Sequence, residues 1–207
     1  AEVKIATANS AGVSRSPLEA DGEDAASATS VMALVRAGLA AYGKIMFPED
    51  IHTQAQQIVA TATARGLMIA TAESCTGGLV AAALTAVPGS SAVLDRGFVT
   101  YSNAAKQQML GVRAETLEAH GAVSEQVAAE MAAGALRLSQ AGIAVSVTGI
   151  AGPGGSEHKP EGRVCFGIAQ PFGTRTETVE FGAIGRSNVR AATVDHALQM
   201  LMDALRD

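Results

Sequence analysis

From residue 46 onward, apolar positions alternate between short continuous runs and helix-spaced faces. The first kind predicts buried strands and the second predicts helices that cover them. Residues 49–64 read as a helix that Gly66 stops, and 67–72 (LMIATA) as a buried strand. Residues 76–86 read as a helix opened by two glycines. Pro88-Gly89 marks a turn, and 92–101 reads as a second strand. Residues 103–110 and 114–120 read as short helices. Ser124 is a good N-cap for a longer helix with Val127, Met131, Ala135 and Leu138 on one face. Residues 143–149 form another buried run. Residues 163–170 and 174–181 read as a hairpin around Pro171-Phe172-Gly173. Ser187 would cap a last helix that turns Val194, Leu198, Leu201 and Leu205 inward. Helices and strands in this order predict an α/β fold: a single three-layer α/β/α domain with a mixed sheet.

The first 45 residues follow neither period. The stretch 10–30 is rich in Ser, Ala, Gly and acids, and only 31–42 could form a short helix. Residues 1–45 therefore read as an N-terminal extension, flexible or partly helical, ahead of a domain over 46–207. The charge divides the same way. The first 50 residues hold four basic and seven acidic groups, which is most of the chain's net −5.

Composition narrows the function. At 48% hydrophobic, the chain is too apolar to be wholly disordered. Its acidity disfavours a nucleic-acid partner, and with no Trp, two Tyr and five Phe it offers few platforms for stacking bases. No stretch reads as a membrane span, because Arg36 interrupts the apolar segment 25–41. Cys75 and Cys165 are too few for a disulfide scaffold, which makes a reducing, cytoplasmic setting the default. The four scattered histidines give no metal-ligand spacing.

Three loops at predicted strand ends carry the candidate chemistry, and strand ends are where open α/β sheets bind ligands. The first is Glu73-Ser74-Cys75-Thr76-Gly77-Gly78, a strand running into a helix start, where free N–H groups can hold an oxyanion. Ser74 and Cys75 both stand there as possible nucleophiles. The plainer reading is that Ser74 or Thr76 only caps the helix. The second loop runs from Thr100 to Lys106 and holds one of only four lysines, one helical turn after Asn103. A lysine serves as a base only where burial or a nearby cation lowers its pKa, and an ordinary solvated lysine is the alternative. Tyr101 beside it would otherwise be a strand residue packed under a helix. The third loop, 149–160, is rich in glycine and could present N–H groups to an anion, or could be an unliganded connection. It contains His158, a possible base for Ser74. Glu73 could position Lys106 or a substrate amide.

Together the segments AESCTGG, RGFVTYSNAAK, HGAVSE and SVTGIAGPGG…KPEGRV resemble the C-terminal domain of the CinA (competence/damage-inducible) family, over about residues 48–206. That family includes nicotinamide mononucleotide amidohydrolases. The resemblance implies a CinA C-terminal-like fold and deamidation of nicotinamide mononucleotide to nicotinate mononucleotide and ammonia, in pyridine nucleotide recycling. It implies a serine–lysine dyad on Ser74 and Lys106, assisted by Tyr101, with no metal and no cofactor. Substrate contacts would come from Cys75, Thr76, Gly77, Gly78, Asn103, Thr148, Gly149, Gly152, Gly154 and Gly155. The implied partner is a small pyridine mononucleotide, and a homodimer is expected. The alternative is a nucleotide-binding regulatory module without turnover.

Overall fold

Side-chain size alternates along the central strands, and that alternation decides how closely each helix layer approaches. The computed structural model describes residues 47–156 and 158–206, with Ser30 and Met32. The chain divides into two units, Ala1–Met46 and Phe47–Asp207, and the second is described below. The extension expected over 1–45, with its helix over 31–42, lies outside the described residues apart from Ser30 and Met32.

The strands are β1 (Ile69–Glu73), β2 (Leu94–Val99), β3 (Ile143–Gly149), β4 (Arg163–Gln170) and β5 (Gly173–Glu180). The helices are α1 (Glu49–Arg65), α2 (Leu79–Thr85), α3 (Asn103–Leu110), α4 (Ala114–His120), α5 (Glu125–Arg137) and α6 (Arg186–Ala204). The sheet order is β2-β1-β3-β4-β5. β1 runs parallel to β2 and β3, whereas β3, β4 and β5 pair antiparallel. The mixed α/β sheet is thus as expected. After β1 the chain goes to one side for β2 and to the other for β3. This leaves a switch point at the C-terminal ends of three parallel strands, and all three candidate loops start there.

On one face Ile69, Ile143, Val145, Val147, Phe166 and Ile168 are packed by α1, α2 and α6. The other face shows Ala70, Ala72 and Ala144, with α3, α4 and α5 against it. Here small residues bring backbones together. Ser146 donates from Oγ to the Ala128 carbonyl at 2.6 Å, and a Cβ on Gly167 would lie 2.7 Å from that same oxygen.

α5 also meets α3 closely, because Gly134 faces the Leu110 carbonyl and a Cβ there would overlap it. Gly134→Ala gains helix propensity of about 1 kcal/mol. It must also push apart the two helices, at about 1–3 kcal/mol. Urea denaturation should show net destabilisation, and unchanged stability would mean that the contact relaxes freely. Activity should fall as well, because α3 carries Lys106.

Three details differ from the sequence reading. α2 begins at Leu79, not at 76, and neither Ser74 nor Thr76 caps it; Gly78 is the N-cap residue, at φ 98°. α6 begins at Arg186 after Gly185, with no side-chain cap, so Ser187 lies inside the first turn. Leu138 is the C-cap of α5 and is 43% exposed, off the buried stripe of Val127, Met131 and Ala135.

Candidate active site

Pairing of the parallel strands draws two of the loops to one point. The Ser74 N–H donates to the Val147 carbonyl of β3 at 3.0 Å, and the Thr100 N–H donates to the Glu73 carbonyl at 2.8 Å. β1 therefore delivers Ser74 between the end of β3 and the loop that follows β2. Ser102 then caps α3, its Oγ accepting from the Ala105 N–H, and sends Lys106 inward one turn later.

Lys106 is 1% exposed, so it is not a solvated helix lysine. Its Nζ donates to Ser74 Oγ at 3.0 Å and to the Thr100 carbonyl at 2.8 Å. Among the described residues, no carboxylate bonds to it. Burial holds its pKa below the ordinary 10.5, against a smaller opposing effect of Cys75. A lowered pKa favours the neutral amine, the form whose lone pair takes up a proton. Asn103 is exposed while Lys106 is buried, so the two do not act on one face.

Cys75 sits in a different environment. Burial is the main cause that pushes its thiol up to about 11, and Glu73 adds to the effect. A thiol so protonated is a poor nucleophile at neutral pH. Its sulfur is packed 3.1 Å from where a Cβ on Gly149 would lie. The amine that reaches Ser74 Oγ is that of Lys106, whereas His158 lines a cleft with His120, Ile150 and Lys159.

The turn after Ser74 is tightly bonded internally. The Gly77 N–H donates to the Ser74 carbonyl at 3.1 Å, and the Gly78 N–H to Glu73 Oε2 at 3.0 Å. Thr76 Oγ1 also donates to Glu73 Oε2, at 2.7 Å. Among the described residues, the N–H groups of Cys75 and Thr76 bond to no other residue. Glu73 is committed to this turn and does not bond to Lys106.

The other expected contacts divide. Tyr101 is 59% exposed rather than packed under a helix, and its Oη accepts from Arg186 Nη2 at 2.8 Å. The other arm of Arg186 donates to the Gly152 carbonyl at 2.8 Å and so links the second loop to the third. Thr148 is buried, with its hydroxyl donating to the Ala122 carbonyl at 2.7 Å. The Gly154 N–H donates to Glu161 Oε2 at 2.6 Å, and a Cβ on Gly155 would press on the Lys159 carbonyl at 2.6 Å. The glycines of the third loop thus serve its own folding, and Glu161 takes one of its donors.

Sequence reasoning missed Arg186 and Arg190, which stand one turn apart on α6. Arg190 donates from Nε to the Cys75 carbonyl at 3.1 Å and from Nη2 to the Thr76 carbonyl at 2.9 Å. The signal available was an Arg pair at i and i+4 on the final helix, unremarkable without the fold. Among the described residues, no three His, Cys, Asp or Glu side chains gather in a way that could hold a metal ion. Nor is any described helix long and apolar enough to cross a membrane.

Known proteins are similar to this chain in sequence and in fold. A nicotinamide-nucleotide amidohydrolase, PncC, of Escherichia coli (strain K12) is 50% identical over 157 residues, covering 75% of this chain and 95% of that protein. A CinA-like protein of Chlorobium phaeobacteroides (strain BS1) is 56% identical over 146 residues, covering 68% of this chain but 35% of that longer protein. Among solved structures, the competence/damage inducible protein CihA from Agrobacterium tumefaciens superposes with a TM-score of 0.75. It is 55% identical, covering 78% of this chain and 98% of that one. A CinA superfamily protein from Klebsiella pneumoniae superposes with a TM-score of 0.72 at 40% identity, covering 75% and 98%. The family model for the CinA C-terminal domain matches residues 51–205, and the chain belongs to that family.

Proposed function

We propose that this chain is an amidohydrolase that converts nicotinamide mononucleotide to nicotinate mononucleotide and ammonia, with Ser74 as nucleophile and Lys106 as general base. The observation that carries the mechanism is the buried Lys106 amine bonded to Ser74 Oγ, with no carboxylate among the described residues to hold its proton. The substrate follows from the relative that is 50% identical over nearly its whole length and bears that activity in its name.

Neutral Lys106 Nζ takes the hydroxyl proton as Ser74 Oγ bonds to the carboxamide carbon, and the carbonyl electron pair moves to oxygen. That oxyanion faces the N–H groups of Cys75 and Thr76, since those of Gly77 and Gly78 are already spent. The intermediate collapses, the C–N bond breaks, and Lys106 returns the proton to departing ammonia. Water then attacks the acyl-serine, gives a proton to Lys106, and the proton passes to Ser74 Oγ as the acid leaves. The Thr100 carbonyl holds the amine through both halves. Tyr101 and Arg186, which link the second loop to the third, are assigned to meet the substrate. Substrate contacts are assigned to Cys75, Thr76, Gly77, Gly78 and Asn103 in the first two loops and to Gly149, Gly152, Gly154 and Gly155 in the third. Thr148 completes this set at the end of β3. The two free, buried cysteines fit a reducing cytoplasm. The proposal includes a homodimer, the commonest assembly of soluble oligomers.

The test is incubation of the full chain with nicotinamide mononucleotide. Mass spectrometry should show the amide replaced by an acid, with one ammonia per conversion. Saturable binding with the ligand recovered unchanged would instead support a regulatory module.

A further inference from the structure

Glu73 ends β1 and directly precedes Ser74. It is 1% exposed, and no step above gives it a part. Its two oxygens accept five hydrogen bonds. Oε1 accepts from Thr71 Oγ1 at 3.1 Å and from the Ala81 N–H at 2.9 Å. Oε2 accepts from Thr76 Oγ1 at 2.7 Å and from the N–H groups of Gly78 and Val80 at 3.0 Å each. One donor comes from the strand, two from the turn and two from the first turn of α2. Burying a carboxylate is costly unless such donors replace water. The arrangement fixes both sides of Ser74 to one buried group, while the Ser74 N–H is fixed to β3.

We propose that Glu73 is a positioning residue for the hydrolysis, its carboxylate pinning the turn from Thr71 to Ala81 so that Ser74 Oγ stays on Lys106 Nζ. The inference rests on the Ser74–Lys106 reading above. A misplaced nucleophile loses rate steeply, because a displacement near 1 Å can cost about 100-fold. Glu73 works through the turn, not through Lys106. Its two oxygens are spent on the turn, and it makes no bond to the amine. Two readouts should therefore separate: kcat falls on losing the carboxylate, while the acidic limb of the pH profile stays in place.

The experiment uses the full chain with Glu73→Gln, Thr71→Val and Thr71→Ser. It measures kcat and KM on nicotinamide mononucleotide, the pH profile, folding by circular dichroism, and the rate of Ser74 labelling by phenylmethylsulfonyl fluoride. The glutamine amide points a donor at groups that are themselves donors. Glu73→Gln should lower kcat and the labelling rate by about 30-fold or more, with KM and the acidic limb unmoved in the folded protein. Thr71→Val removes one of the five donors and should lower both rates about 3- to 10-fold. Thr71→Ser, which keeps the donor, should stay near wild type. Should Glu73→Gln not fold, the Thr71 pair decides. Rates at wild-type level in Glu73→Gln, or in Thr71→Val, overturn the proposal, as does loss that only tracks the unfolded fraction. A wild type that leaves the nucleotide intact but labels quickly at Ser74, with slower labelling in the variants, sinks the substrate reading and keeps the positioning role. A wild-type Ser74 that does not label sinks the positioning role.

Discussion

Replacing Ser74 with alanine should lower ammonia release from nicotinamide mononucleotide by about 10⁴-fold or more, since losing the nucleophile of a coupled unit costs nearly as much as losing the whole unit. The substitution removes one oxygen. The backbone bonds of residue 74, from its N–H to Val147 and from Gly77 to its carbonyl, are retained. Lys106 keeps the Thr100 carbonyl. The melting temperature should therefore change little, and stability by about 1 kcal/mol at most. The check pairs a coupled ammonia assay with a urea titration on the same preparation. Near-normal turnover in folded Ser74→Ala would refute the mechanism. Full activity there, combined with loss on alkylating Cys75, would pass the role to the neighbouring thiol. The structure speaks against that outcome, because burial keeps the Cys75 thiol protonated at neutral pH.

The sheet and its helices were legible because their signals are local. The runs at 143–149 and 163–170 and the helices at 103–110 and 114–120 sit where apolar period and glycine stops placed them. The start of α2 was misread for a physical reason. Its cap is a carboxylate from the preceding strand, five residues before Gly78, and not a hydroxyl in the turn. Capping rules look for a polar side chain at the helix boundary and do not see one reaching in from a strand. In the sequence Ser74 and Lys106 stand only as candidates. Spacing does not show that Lys106 points inward, and a lysine on a short helix is exposed by default. What turns it inward is the Ser102 cap and the bond to the Thr100 carbonyl, which needs β2 already in place beside β1. Arg186 and Arg190 reach the site from the far end of the sequence, where no local pattern reports on contact.

Lys106→Met should lower kcat by about 10²–10⁴-fold, the usual contribution of a positioned base, and should also change how stability varies with pH. In the wild type, kcat/KM should rise with pH as the buried ammonium loses its proton. The midpoint should lie below 10.5, because desolvation lowers this pKa. The same shift governs folding. Between the lowered folded value and 10.5, the unfolded chain holds more protons at this lysine than the folded chain does. The unfolding free energy therefore climbs with pH across that window and levels off above it. Below the folded value the buried ammonium imposes its full cost. Cys75 contributes the opposite slope from its ordinary 9.0 up to about 11, because there the folded chain holds the extra proton. The difference between wild type and Lys106→Met removes most of that common contribution. Urea midpoints for both proteins across neutral to alkaline pH should show the wild type gaining on the methionine variant as pH rises toward 10.5. Parallel curves would mean that Lys106 keeps its proton in the fold, and a protonated Lys106 cannot accept the proton of Ser74.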